Sequence, residues 1–217
     1  MNRTTLVSGA ALFTLFSVVA SSQAPTGIST DLVKPLEFRS LPTNVVTGRI
    51  QDVEIDPKNA NTWYVASAFG GLWKTTNRGT TFEPIFDDRG DVSSIGDVAL
   101  APSDPSILYV GTGEPNNRQS SSWGNGVYKS LDGGRTWTHL GLADTHHVGR
   151  IVVHPKDPDV VYVAALGRLW GPNQERGLYQ TADGGRTWTQ SKFVDADTGF
   201  VDVAMDPLSP HILYAAS

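Results

Sequence analysis

The sequence predicts an all-β protein built from repeated four-stranded antiparallel sheets. Three observations carry that prediction. Alternating apolar strands recur and each ends at a proline, at Pro57, Pro102, Pro155 and Pro207. A tyrosine stands seven residues after every one of these prolines. A short turn with a conserved-looking layout of hydroxyl, Asp or Asn, Gly and aromatic residues occurs three times.

The first strand of each unit reads Val53 and Ile55, Val98 and Leu100, Ile151 and Val153, or Val203 and Met205. A period of two puts one face of a strand in a core. The proline then stops the ladder, because it has no N–H to donate. A turn cluster follows, such as Ser103-Asp104-Pro105 or Lys156-Asp157-Pro158. The second strand contains Tyr64, Tyr109, Tyr162 or Tyr214, with an apolar residue before it and Val or Ala after it. A third strand ends Trp73-Lys74, Tyr128-Lys129 and Tyr179-Gln180.

The repeated turn comes next. Its key residues are Asn77, Gly79 and Phe82, then Asp132, Gly134 and Trp137, then Asp183, Gly185 and Trp188. Asp or Asn caps such a turn by accepting from backbone N–H groups, and Gly supplies a left-handed position. The aromatic residue is expected to pack beneath the loop and to lead into a fourth strand. A four-stranded unit recurring roughly every 50 residues is the signature of a β-propeller blade. Three units are complete (48–91, 92–145 and 146–198), and 199–217 supplies half of another.

The composition fits this class. Among 217 residues there are 22 Gly and 13 Pro, scattered as turn punctuation. The chain has no Cys, which excludes disulfides, thiolate metal sites and a Cys nucleophile. A net charge of −5 speaks against a nucleic-acid partner. The N-terminus carries Arg3 and an apolar run from Ala10 to Ala20, which reads as a secretory signal peptide over 1–20, with cleavage as late as Ala24 as the second option. No later run is long enough for a membrane helix. The mature protein is therefore expected to be exported, to the periplasm or beyond the cell. Segment 25–47 includes Leu36–Leu41, which has the pattern of a closing strand. A partial last unit leads to the expectation that further blades belong to a longer chain.

The turn Ser/Thr-x-Asp/Asn-x-Gly-x-Thr-Trp/Phe resembles the Asp-box, or BNR repeat. That repeat occurs in sialidases, xyloglucanase-type glycosidases, sortilin-type receptors and photosystem assembly factors. The resemblance covers about residues 48–217. From Ser93 to Ala216 the chain looks most like the N-terminal part of large secreted bacterial proteins of the sortilin-like or glycosyl-hydrolase-like type. It implies a β-propeller, and it implies a binding module or, as alternatives, the xyloglucanase-like or sialidase-like propeller half of a glycoside hydrolase or a truncated fragment without independent function. In xyloglucanase-type enzymes a carboxylate stands two residues ahead of a Gly-Gly-x-aromatic run. The matching text here runs Ala66 to Trp73 with Ala68 at that position, and alanine can act as neither acid nor base. Phe38 to Pro42 is similar to the sialidase arginine motif but one residue too long. No catalytic residue emerges.

Propeller geometry sorts the loops onto two faces. The capped turns belong to one, and the long inserts 113–126 and 166–177 to the other. Once the repeat positions are removed, the spare indoles are Trp123 and Trp170, one in each insert. With Arg118, Arg168, Glu175, His146 and His147 they outline a candidate binding face for a peptide, protein segment or polysaccharide; alternatively each Trp pins its own loop. Arg49 and Arg150, both in Gly-Arg-Ile, are expected at equivalent positions on the channel rim, as ligand contacts or as inter-blade ion pairs. His154 lies at the far end of its strand from His147, so no shared metal is expected. One carboxylate per capped turn is too few for Ca²⁺, and no cofactor is expected.

Overall fold

The computed structural model describes residues 48–87, 92–116 and 121–217. Residues 1–20, read above as a signal peptide, the Leu36–Leu41 segment and Arg118 lie outside the described residues.

The chain forms three four-stranded antiparallel sheets and one two-stranded sheet, each in sequence order. The first contains β1 (Ile50–Ile55), β2 (Trp63–Ser67), β3 (Gly71–Thr75) and β4 (Glu83–Pro84). The second contains β5 (Ile95–Leu100), β6 (Leu108–Thr112), β7 (Val127–Ser130) and β8 (Thr138–His139). The third contains β9 (Val148–Val153), β10 (Val161–Ala165), β11 (Gly177–Thr181) and β12 (Thr189–Lys192). β13 (Asp202–Met205) and β14 (Leu213–Ala216) make the last. The first strands of successive sheets lie side by side, β1 by β5, β5 by β9 and β9 by β13. This is an arc of β-propeller blades. No described helix is long and apolar enough to cross a membrane.

The core lies between blades. Tyr64, Ala66, Leu72 and Phe86 of the first blade pack on Ile95, Val98, Leu108 and Val110 of the second. Ala99, Tyr109 and Val127 of the second meet Ile151, Val161 and Val163 of the third. Ala164 packs on Phe200 and Val203. The alternation legible in the sequence thus serves two interfaces, one per strand face. Val53 is 45% exposed while its counterpart Val98 is fully buried, and Tyr214 is 68% exposed while Tyr109 is fully buried. The outer flanks of the arc therefore carry residues of the inter-blade type.

The capped turn forms as its residues dictate. Ser130 Oγ accepts from Gly134 N at 2.9 Å and donates to Asp132 at 2.8 Å. Asp132 in turn accepts from Thr136 N at 2.8 Å and Thr136 Oγ1 at 2.7 Å. Thr181, Asp183, Gly185 and Thr187 repeat the circuit. In the first blade Thr75, Asn77, Gly79 and Thr81 do so with an amide. These bonds hold Asp132 and Asp183 far down the carboxylate range, at about 2.

The aromatic residue does more than pack beneath its own loop. Trp137 donates from Nε1 to Ile85 O of the preceding blade at 2.8 Å, and Trp188 donates to Leu140 O at 2.9 Å. The preceding blade grips back. Lys74 Nζ donates to Gly133 O at 2.8 Å while lying 5.3 Å from the centre of the Tyr64 ring. Lys129 and Tyr109 form the same pair, and Lys129 donates to Asp159 at 2.8 Å. The recurrent Tyr and the recurrent Lys are two halves of one inter-blade contact.

Register sorts the loops as expected. Ser67, Thr112 and Ala165, where the loops between second and third strands leave (the two inserts among them), pair with the starts of β1, β5 and β9. Thr75, Ser130 and Thr181, where the capped turns begin, pair with the opposite ends of β2, β6 and β10. The inserts and the capped turns therefore occupy opposite edges of the sheets.

Candidate functional site

Between β8 and β9 the chain makes a sharp connector. A 3-10 turn over Ala143–Thr145 is bracketed by Leu142 and His146, both at positive φ. Thr145 Oγ1 closes it by donating to Leu142 O at 2.7 Å. This connector holds both inserts. His146 O accepts from Gly124 N at 2.7 Å, His147 O accepts from Leu166 N at 2.9 Å, and Asp144 O accepts from Asn173 Nδ2 at 3.4 Å.

Trp123 lies against the His146 ring, with centroids 4.8 Å apart and the planes tilted by 56°. The indole remains 53% exposed, and Trp170 is 63% exposed. Burial holds the His146 imidazole below its usual range, and the neighbouring Arg168 cation adds to this against the opposing pull of Asp144 and Glu175. His146 of the connector thus meets Trp123 of the first insert and lies within electrostatic reach of Arg168 and Glu175 of the second, three separated stretches of chain. Glu175 accepts from Asn173 Nδ2 at 2.8 Å.

His147 does not belong with them as a contact residue. Its side chain is fully buried, so it faces the interior while His146 faces out. Burial, with help from His146 and Arg176, lowers its pKa to about 4. His154 serves the turn after β9, where its Nδ1 accepts from Lys156 N and Asp157 N. Asp56 and Asp206 do the same in their own blades.

Arg49 and Arg150 are not equivalent, despite their shared tripeptide. Arg150 faces Ala164, the register position that Asp52, Asp97 and Asp202 hold opposite Ala66, Gly111 and Ala216. Arg49 precedes β1 and is ion-paired with Glu114, a fully buried carboxylate of the first insert. Arg150 forms a hub at the channel. Its guanidinium lies 3.0 Å from Asp97, 3.3 Å from Asp202 and 3.7 Å from Asp52. Asp97 also accepts from Ile151 N at 2.7 Å. Both arginines therefore tie blades together through ion pairs.

Two side-chain groups escape the sequence reading. One is the channel carboxylates; their signal was available, since Asp52, Asp97, Arg150 and Asp202 each stand five residues before the repeated proline. Glu54, two residues on from Asp52, has its pKa raised to about 7 by burial and by Asp52, against the pull of Arg150. The other is Asn173 and Arg176, which organise the second insert. Their role depends on loop closure and leaves no periodic trace.

No family model matches the chain. Among curated proteins it is similar to a xyloglucanase from Paenibacillus sp, 23% identical over 169 residues, covering 72% of this chain and 16% of that protein. It is also similar to a probable oligoxyloglucan-reducing end-specific xyloglucanase from Neosartorya fischeri, 26% identical over 199 residues, covering 83% of this chain and 23% of that one. The chain thus spans less than a quarter of the length of these relatives. Among solved structures, the GH74 enzyme of Niastella koreensis superposes with a TM-score of 0.58 at 25% identity, covering 81% of this chain and 30% of that one. An ancestral GH74 enzyme gives 0.59 at 20% identity, covering 77% and 22%. An auxiliary nutrient binding protein from Bacteroides thetaiotaomicron gives 0.55 at 14% identity, covering 78% and 36%. At their identities the last two show a shared fold alone.

Proposed function

We propose that this chain is a polysaccharide-binding stretch of an exported, glycoside-hydrolase-like propeller of the Asp-box kind. A glycan chain lies across the insert face, stacking on Trp123 and Trp170. The observation that carries this reading is Trp123: its ring meets that of His146 at a tilt, more than half of it is open, and His146 itself lies within electrostatic reach of Arg168, Asp144 and Glu175. An apolar plate with hydrogen-bonding neighbours is what a sugar ring requires. The xyloglucanase relatives support a polysaccharide over a peptide. The hydroxyl–Asp–Gly circuit of the capped turns supports the Asp-box, sortilin-like reading. The exposed Val53 and Tyr214 flanks support further blades on either side, and the leader sequence supports export.

Titration calorimetry with xyloglucan oligosaccharides tests the site. The double variant Trp123→Ala, Trp170→Ala is expected to bind at least about 10-fold more weakly, the loss expected of two stacking platforms. Unchanged affinity removes the assignment.

Hydrolysis is a second reading, favoured by Glu54. A carboxyl whose pKa is raised to about 7 by burial and by the neighbouring Asp52 has the character of a general acid. Two residues apart on one strand, the two carboxyls share one face of the sheet. Release of reducing ends from a β-glucan that disappears in Glu54→Gln supports this reading; release that survives the substitution removes it.

A further inference from the structure

We infer that Arg176 is a positioning residue: it holds the 166–176 insert in its ligand-binding shape before any ligand arrives. This rests on the reading of the insert face as a binding face.

The insert lacks a ladder of its own. Among the described residues its backbone-to-backbone bonds run outward, from Leu166 N to His147 O and from Asn173 N to Ala196 O. Side chains replace the missing internal bonds. Arg176 Nη1 donates to Leu166 O at 2.5 Å, and its Nε donates to Ala196 O in the next connector at 2.7 Å. Its Nη2 donates to both Arg168 O at 2.5 Å and Gly171 O at 3.2 Å. Those last two carbonyls bracket Leu169 and Trp170. One nitrogen thus fixes the backbone on both sides of the exposed indole.

Asn173 completes the lock. Its side-chain oxygen accepts from Arg168 N at 3.1 Å, and its amide nitrogen reaches Glu175 and Asp144 O. The packing leaves no room for a side chain at position 167. Gly167 has φ +75°, and a Cβ there would collide with Asn173 and with Arg176 Cγ.

Only a guanidinium meets this demand. It directs five N–H donors in a rigid plane, whereas an ammonium is a compact point with three. Arg176→Lys keeps the charge and loses the fork. The insert then samples many conformations, and the ligand must order it on binding, which weakens affinity. The platform is accordingly preformed rather than a closing lid.

The test combines amide exchange across 167–176 with calorimetry, using xyloglucan heptasaccharide as the probe. In Arg176→Lys, exchange at 168–171 is expected to rise by about 10-fold or more in the free protein. Saccharide affinity falls about 10-fold with a more unfavourable entropy, and saturating saccharide restores protection. The global unfolding midpoint stays near wild type, which a merely stabilising residue would not allow. Asn173→Ala repeats the experiment if the first variant fails to fold. Unchanged exchange overturns the inference, as does faster exchange with unchanged affinity. A wild-type protein that does not bind the probe counts against the polysaccharide reading, and the exchange arm still decides whether Arg176 holds the insert.

Discussion

His147 buries an imidazole whose two ring nitrogens have no hydrogen-bond partner among the described residues. Such a group is tolerated only while neutral. Its folded pKa of about 4 lies below the ordinary 6.5, so the unfolded chain binds the proton first as pH falls. The stabilising contribution is complete above pH 6.5 and is lost on the way down to about pH 4. Denaturant unfolding at pH 7.5 and pH 4.5 should show a loss of about 2.5 kcal/mol that His147→Leu does not share. An equal loss in both proteins would show that another group governs the acid limb. His146, one residue earlier, is a surface partner of Trp123. Adjacent identical residues thus serve the interior and the outer face, and the left-handed backbone of His146 at the end of the 3-10 turn is what lets them diverge.

At the scale of the element, the capped turn shows a residue choice set by the neighbouring blade. Position 133 is glycine at φ +69°, and a Cβ there would lie 3.2 Å from Lys74 Nζ. The equivalent position of the first blade is Arg78, also left-handed at φ +56°, with Nε donating to Asn61 at 2.7 Å. No described lysine covers Arg78. Gly133→Ala is therefore expected to cost about 1–2 kcal/mol, from left-handed strain and displacement of the lysine. Arg78→Gly should lie within about 0.5 kcal/mol of wild type, the range of a surface change. Urea unfolding of the two variants checks this, and similar costs would refute the inter-blade explanation. The three turns were legible as turns because each closes its own hydrogen bonds. That they also grip the next blade through Tyr and Lys was not legible, since the contact joins residues some 60 positions apart, as Lys74 and Gly133 do.

Across the whole arc, Arg150 is the one described residue that touches carboxylates from three other blades. Asp97 is 2% exposed and depends on it for compensation. Burial raises the Asp97 pKa first, Asp52 adds to the rise, and Arg150 opposes both. Arg150→Met should lower stability by about 2 kcal/mol near pH 7, a figure held down by the partial exposure of the guanidinium. The deficit should shrink as pH is lowered and the crowded carboxyls protonate. Chemical denaturation across a pH series checks this; a pH-independent deficit would show that Arg150 acts through packing.

The sequence by itself determined the strands, their order and the capped turns, because each rests on contacts within one unit and on a repeating period. It also determined that Trp123 and Trp170 stand apart from the repeat. Only the tertiary structure decided which charged residues meet. Arg150 among the aspartates, Arg49 with Glu114, and Arg176 over its four carbonyls are junctions between units, and no local pattern encodes the rotation that brings one blade against the next. The physical reason is range: a turn or a strand is specified by neighbours a few residues away, while the channel and the insert face exist only once separate sheets have packed.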